Sequence, residues 1–164
     1  MIVLWILGGV LLVFGLVVLR GAPYVPTHRV GVRGALDMFD LPKGSTIVDL
    51  GSGDGVFLKA AAEQGYRVIG YELNPFLCVI SYIRCWRYRS RVSVRWRDFW
   101  LSPLPPETDA VFVFLAGPYL RRLDAKLSKE KQGSKKMPVV SYGFEIPGRP
   151  KPDKKQRALL LYYY

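Results

Sequence analysis

Asp49, Gly51, Gly53 and Gly55 stand at alternate positions of VDLGSGDG, residues 48–55, between a short β-branched run, Thr46-Ile47-Val48, and the helix-like VFLKAAAEQG. A strand-to-helix turn of that composition uses glycine where the backbone takes positive φ or passes close to a ligand, and here it sets an acid just before the glycines. A dinucleotide fingerprint, G-x-G-x-x-G, would place its third glycine at position 56, which is Val56, so the spacing argues against a pyrophosphate ligand. A second acid, Glu72, ends the next apolar stretch, YRVIGYE. It follows Gly51 by about 20 residues, the distance at which a βαβ unit brings an acid at the end of its second strand to a bound ribose. A carboxylate there accepts hydrogen bonds from both ribose hydroxyls. Metal chemistry has little support: His28 is the single histidine, and Cys78 and Cys85 fall two turns apart in a helical stretch, too far for a disulfide and suited to small core positions.

The elements that must position these acids are legible as an alternation of strands and helices. Val56 to Gln64 reads as a helix with Gly65 past its end, and Asn74-Pro75 starts another, asparagine as cap and proline at the first helical position. Leu73 and Asn74 therefore lie along the ligand edge. VSVRW reads as a third strand leading to Arg97-Asp98-Phe99-Trp100, and DAVFVFL, residues 109–115, as a central parallel strand followed by AGPY. YLRRLDAKLSKEKQ is helical, MPVVSYGF a fifth strand and ALLLYYY one final strand. The pattern predicts an α/β, Rossmann-like fold: a mostly parallel twisted sheet with helices on both faces and a shortened C-terminal end that lacks one strand.

Residues 2 to 19, IVLWILGGVLLVFGLVVL, carry no charge and no proline, and as a helix they extend roughly 27 Å, close to the thickness of a bilayer's hydrocarbon core. This predicts one transmembrane helix, residues 1–20. Residues 21–44 form a linker and an N-terminal helix capped by Thr27, and residues 45–164 the α/β domain. Arg20, Arg29 and Arg33 follow the apolar run with no acid before Asp37, which places the body on the cytoplasmic side by the positive-inside rule. The net charge of +11 attracts an anionic partner. Three basic clusters carry it. The first interleaves Arg84, Arg87, Arg89, Arg91, Arg95 and Arg97 with Trp86, Tyr88 and Trp96, with no acid between Glu72 and Asp98. The second holds Lys126, Lys129, Lys131, Lys135 and Lys136, the third Lys151, Lys154, Lys155 and Arg157. Docking on an anionic lipid surface accounts for all three with one cause, and arginine among aromatics equally suits stacking on nucleic-acid bases.

VDLGSGDG resembles the cofactor loop of class I S-adenosylmethionine-dependent methyltransferases. The resemblance implies that Asp49 faces the cofactor's ammonium, that Gly51, Ser52, Gly53, Asp54 and Gly55 admit its methionine part, and that Asp98 and Phe99 meet the adenine. The competing role for Asp98 is to cap a short turn before SPLPPE. Methyltransferases acting on exocyclic amines of DNA bases typically carry Asp/Asn-Pro-Pro-Tyr/Phe where this chain has Gly117-Pro118-Tyr119, which counts against base methylation. YVPT, VDLGSGDG, YELNP and the VFVF strand with Pro118 close behind are similar to the membrane-tethered lysine methyltransferases of the ATP synthase c-ring protein and the adenine nucleotide translocase, with their prokaryotic relatives. That likeness implies S-adenosylmethionine-dependent methylation of a lysine in a membrane protein, with Tyr24, Thr27, Pro118 and Tyr119 as candidates for the acceptor channel. The alternatives are methylation of RNA or another nucleic acid, and a tethered cofactor-binding module without catalysis.

Overall fold

The computed structural model describes residues 29–130 and 136–164, together with Met1, Leu4, Trp5, Gly8, Gly9 and Gly15. Most of the apolar run 2–19, with Tyr24, Thr27, His28, Lys131 and Lys135, lies outside the described residues. Among the described residues no helix is long and apolar enough to cross a membrane.

Seven strands form one sheet: β1 (Thr46–Leu50), β2 (Arg67–Glu72), β3 (Val92–Trp96), β4 (Ala110–Val113), β5 (Pro138–Tyr142), β6 (Lys154–Gln156) and β7 (Leu159–Tyr163). Their order is β3-β2-β1-β4-β5-β7-β6. Strands β1 to β5 run parallel, and β7 lies antiparallel between β5 and β6. The chain steps outward one way from β1 to β3 and the other way from β4, so the C-terminal ends of β1 and β4 flank the switch point where such sheets hold ligands.

The expectation of a missing strand is corrected here. The closing antiparallel pair is complete, and its outer member, β6, is three residues of Lys and Gln with no apolar pattern to announce it. Lysines on an exposed edge strand discourage pairing with another chain, which gives Lys154 and Lys155 a local reason.

Helices α1 (Arg29–Phe39), α2 (Val56–Glu63) and α3 (Pro75–Arg84) lie on one side of the sheet, and α4 (Gly117–Glu130) on the other. On the first side Val32, Ala35, Leu36, Met38 and Phe39 of α1 join Phe57, Leu58 and Ala61 of α2 over Ile47, Val68 and Val140. Phe57 stacks on Phe112 of β4 with ring centroids 4.0 Å apart. On the second side Leu120, Leu123 and Leu127, one stripe of α4, bury against Val48, Val111, Val139 and Leu160. No helix occurs between β3 and β4 or between β5 and β6. Phe99 and Leu104 from the first connection, Ile146 from the second and the last residue, Tyr164, fill the space beside α4.

Lys126, expected on a lipid-facing cluster, is instead buried. Its Nζ donates to the Ser102 carbonyl at 2.7 Å and pairs with Glu130, whose other oxygen accepts the Leu104 N–H at 2.8 Å. It fastens the β3–β4 connection to α4. Lys155 pairs with Glu145 at 3.0 Å. Of the three basic clusters, the first alone keeps several arginines without an ion pair among the described residues: Arg87, Arg89, Arg91, Arg95 and Arg97.

Candidate active site

The loop after β1 is built by three left-handed glycines, with φ of 86° at Gly51, 55° at Gly53 and 80° at Gly55. Gly51 and Ser52 both donate their N–H groups to the Tyr71 carbonyl at 2.9 Å, tying the loop to the last turn of β2. Gly55 is required twice over. A side chain at positive φ costs about 1–2 kcal/mol, and a Cβ there would come within 2.2 Å of Ser81 Oγ on α3. The second helix can therefore press against the loop only because residue 55 has no side chain.

Glu72 ends β2, buried, and its carboxylate organises the site. Oε2 accepts from Gly53 N–H at 2.9 Å and Oε1 from Asn74 N–H at 2.8 Å, so one side chain links the glycine loop to the start of α3. Each oxygen keeps a second lone pair for a ligand hydroxyl. Burial pushes the Glu72 carboxyl up, against the lowering effect of those backbone donors. Asp49, at the centre of the sheet between Gly70 and Phe112, is pushed well above the usual carboxylate range by burial first, then by the neighbouring charges of Glu72 and Asp54. Two buried acids side by side make a place that favours a cation.

Asn74 Oδ1 accepts from Phe76 N–H at 2.9 Å and Leu77 N–H at 3.4 Å, the cap expected for α3. Its Nδ2 is buried with no hydrogen-bond partner, and so is Ser52 Oγ. Leu73 offers its carbonyl to Trp96 Nε1 at 2.9 Å. Asp54 is engaged elsewhere, its Oδ2 2.7 Å from Arg84 of α3. Arg97 N–H bonds the Glu72 carbonyl at 3.0 Å, which brings the residues after β3 alongside the same cradle. There Asp98 caps a turn, accepting the Trp100 N–H at 2.8 Å, and Phe99 is buried with its ring edge 4.0 Å from where a Cβ on Gly51 would stand. The structure thus gathers the glycine loop, Glu72, Leu73, Asn74, Asp98 and Phe99 at one end of the sheet.

On the acceptor side, Pro118 is exposed in the first turn of α4 and Tyr119 is half-buried. Tyr24 and Thr27 lie outside the described residues. Two residues absent from the sequence-based candidates belong here. Trp100 stands between Phe99, at 4.4 Å, and Tyr119, at 6.4 Å, with Arg122 4.4 Å over its ring and its indole N–H buried without a partner. Ser81 has a buried hydroxyl without a partner beside Gly55. The only sequence signal for Trp100 was its place directly after Asp98-Phe99. Ser81 had none.

Cys78 and Cys85 are thiols, each pushed up to about 11 chiefly by burial, and their sulfurs rest on the carbonyls of Glu72 and Gly55.

Comparison with known proteins agrees with this geometry. The chain is 34% identical over 127 residues to the lysine N-methyltransferase of Xenopus laevis that acts on the c-ring protein of ATP synthase, a match covering 76% of this chain and 54% of that protein. It is 37% identical over 128 residues to the adenine nucleotide translocase lysine N-methyltransferase of Mus musculus, covering 76% and 54%. The chain thus spans about half the length of these relatives. The crystal structure of an RNA methyltransferase from Salinibacter ruber in complex with S-adenosyl-L-homocysteine superposes with a TM-score of 0.75 at 28% identity, over 85% of this chain and 92% of that one. The family described as the ANTKMT methyltransferase domain matches residues 49–154, from the buried acid before the glycine loop to the first residue of β6, and the chain belongs to that family.

Proposed function

We propose that this chain is an S-adenosylmethionine-dependent methyltransferase whose acceptor is a lysine of a membrane-associated protein. The observation that carries the donor half is the Glu72 carboxylate, held by Gly53 and Asn74 N–H groups with a lone pair left on each oxygen, in a cradle that also holds the partnerless Ser52 Oγ and Asn74 Nδ2. Those groups fit a ligand with a vicinal diol. Asp49, raised by burial, fits the ligand's ammonium, and Phe99 beside Gly51 fits a flat apolar ring. Asp98, with one oxygen used on the Trp100 N–H, keeps the other for the adenine amine. When bound, S-adenosylmethionine supplies an electrophilic methyl carbon for in-line displacement by an amine.

The chain's own part is to hold, orient and exclude water. Glu72 and the glycine loop fix the donor's ribose and amino-acid ends, and the Phe99, Trp100 and Tyr119 rings form a wall of low polarity. Such a wall favours the neutral form of an entering lysine amine, which then needs no strong general base. The lysine half rests on the named activities of the Xenopus and mouse relatives. The apolar run 2–19 and the arginines after it support a single-pass tether with the body on the cytoplasmic side. A second reading, methylation of RNA, is favoured by the likeness to the Salinibacter enzyme.

Transfer of a labelled methyl group from S-adenosylmethionine into fractionated membranes, soluble protein and RNA tests the proposal. Label in a membrane protein, recovered as methyl-lysine after acid hydrolysis, is the expected result. Label in RNA with none in protein would install the second reading in its place.

A further inference from the structure

Helix α3 is apolar on both sides. Its inner face buries Leu77 and Ser81, with Cys85 just past its end. Its outer face carries Val79, Ile80 and Ile83, at the i, i+1 and i+4 spacing that shares one side of a helix, and no charged residue lies among them. These are exposed: Val79 by 59%, Ile80 by 45% and Ile83 by 68%. Tyr82 and Trp86 extend the surface at one end, their rings 5.4 Å apart edge to face and each 52% exposed. At the other end Trp96, 68% exposed, hangs from the Leu73 carbonyl at the entry to α3. A helix apolar all round is one that something covers, and exposed patches of this kind mark docking sites.

The charge around the patch identifies what covers it. Arg87, Arg89 and Arg97 are exposed and make no ion pair among the described residues, and Arg89 lies 5.1 Å over the Trp86 ring. No acid occurs between Glu72 and Asp98. A second copy of this chain set face to face on the patch would bring arginines against arginines with no carboxylate to pair them. Tryptophan and tyrosine beside aliphatic side chains, rimmed by arginine, match the boundary between acyl chains and anionic headgroups. We propose that the outer face of α3, with Trp86, Trp96, Arg87 and Arg89, docks shallowly on an anionic bilayer as a contact separate from residues 2–19. Because α3 begins at Asn74, beside Glu72, this docking sets the mouth of the donor cradle close to the membrane surface. The proposal stands whether or not the chain transfers methyl groups.

The test uses the full chain with vesicles whose acyl chains are brominated, reading tryptophan emission. Subtracting the Trp86→Phe/Trp96→Phe double variant from wild type isolates the two patch tryptophans from Trp5 and Trp100. With vesicles containing phosphatidylglycerol the isolated emission is expected to shift blue and be quenched. Arg87→Glu/Arg89→Glu is expected to lower the apparent lipid affinity read from that quenching by roughly tenfold. Unchanged far-ultraviolet circular dichroism verifies that the variants fold. Quenching of Trp5 without quenching of the patch component overturns the proposal, since it leaves the N-terminal segment as the sole contact. A patch component already blue-shifted without lipid, and not quenched with it, also overturns it, by showing the face covered by residues 2–19, a second copy or a protein partner.

Discussion

Asp49 is the residue whose chemistry is most displaced from ordinary behaviour. An acid whose carboxyl is raised on folding holds its proton longer in the folded chain than in the unfolded one. Stability is then greatest below the unfolded carboxylate range and falls as pH rises from there to the raised value. Above that value the cost is constant. A ligand ammonium set against Asp49 favours the ionised form and removes part of this cost. Asp49→Asn is therefore expected to flatten the loss of thermal stability with rising pH in the ligand-free chain and to raise its midpoint at neutral pH, while weakening S-adenosylmethionine binding. Thermal scans between pH 4 and pH 8 check this; a midpoint that falls at neutral pH would mean that Asp49 is stabilising as a carboxylate. Asp49 and Glu72 were legible from spacing alone because the turn and the strand end dictate them. Asp54 was not, since nothing in DLGSGDG says that one of its acids turns to Arg84 on a helix 30 residues later.

Among the elements, the longest irregular one does the work of a missing helix. Residues 97–109 cross from β3 to β4 without helical structure, yet contribute Asp98, Phe99 and Trp100 to the site. Three bonds hold their course: Tyr71 Oη to the Pro103 carbonyl at 3.1 Å, Lys126 Nζ to the Ser102 carbonyl, and Leu104 N–H to Glu130. Lys126→Met keeps the length of the stem and removes one of these bonds and an ion pair. It is expected to cost about 1–3 kcal/mol of stability and to weaken donor binding by loosening the Asp98-Phe99 wall. Chemical denaturation and a binding titration measure the two effects, and unchanged values in both would show the connection to be held without Lys126. The regular elements were legible because their apolar periods are clear, as in the β-branched β1 and the Leu120, Leu123, Leu127 stripe. β6 and this connection were not. A three-residue lysine strand has no period, and a lysine's burial depends on a carbonyl and a carboxylate that sequence cannot bring to it.

The whole molecule joins a well-formed donor cradle to a thinly built acceptor side. One sheet face carries three helices and the other a single helix with two loops and Tyr164, whose hydroxyl reaches Asp124 of α4 at 2.8 Å. All the groups argued to hold the donor lie within the described residues, whereas Tyr24 and Thr27 do not. The central claim is thus the donor site, and a calorimetric titration of the full chain with S-adenosylmethionine tests it most directly. The account predicts a single site in the wild type. Glu72→Ala is expected to weaken it at least tenfold, the loss of about 1.4 kcal/mol or more that removing a charged hydrogen-bond acceptor from both hydroxyls entails. No binding by the wild type, or equal affinity in the folded Glu72→Ala variant, would contradict it.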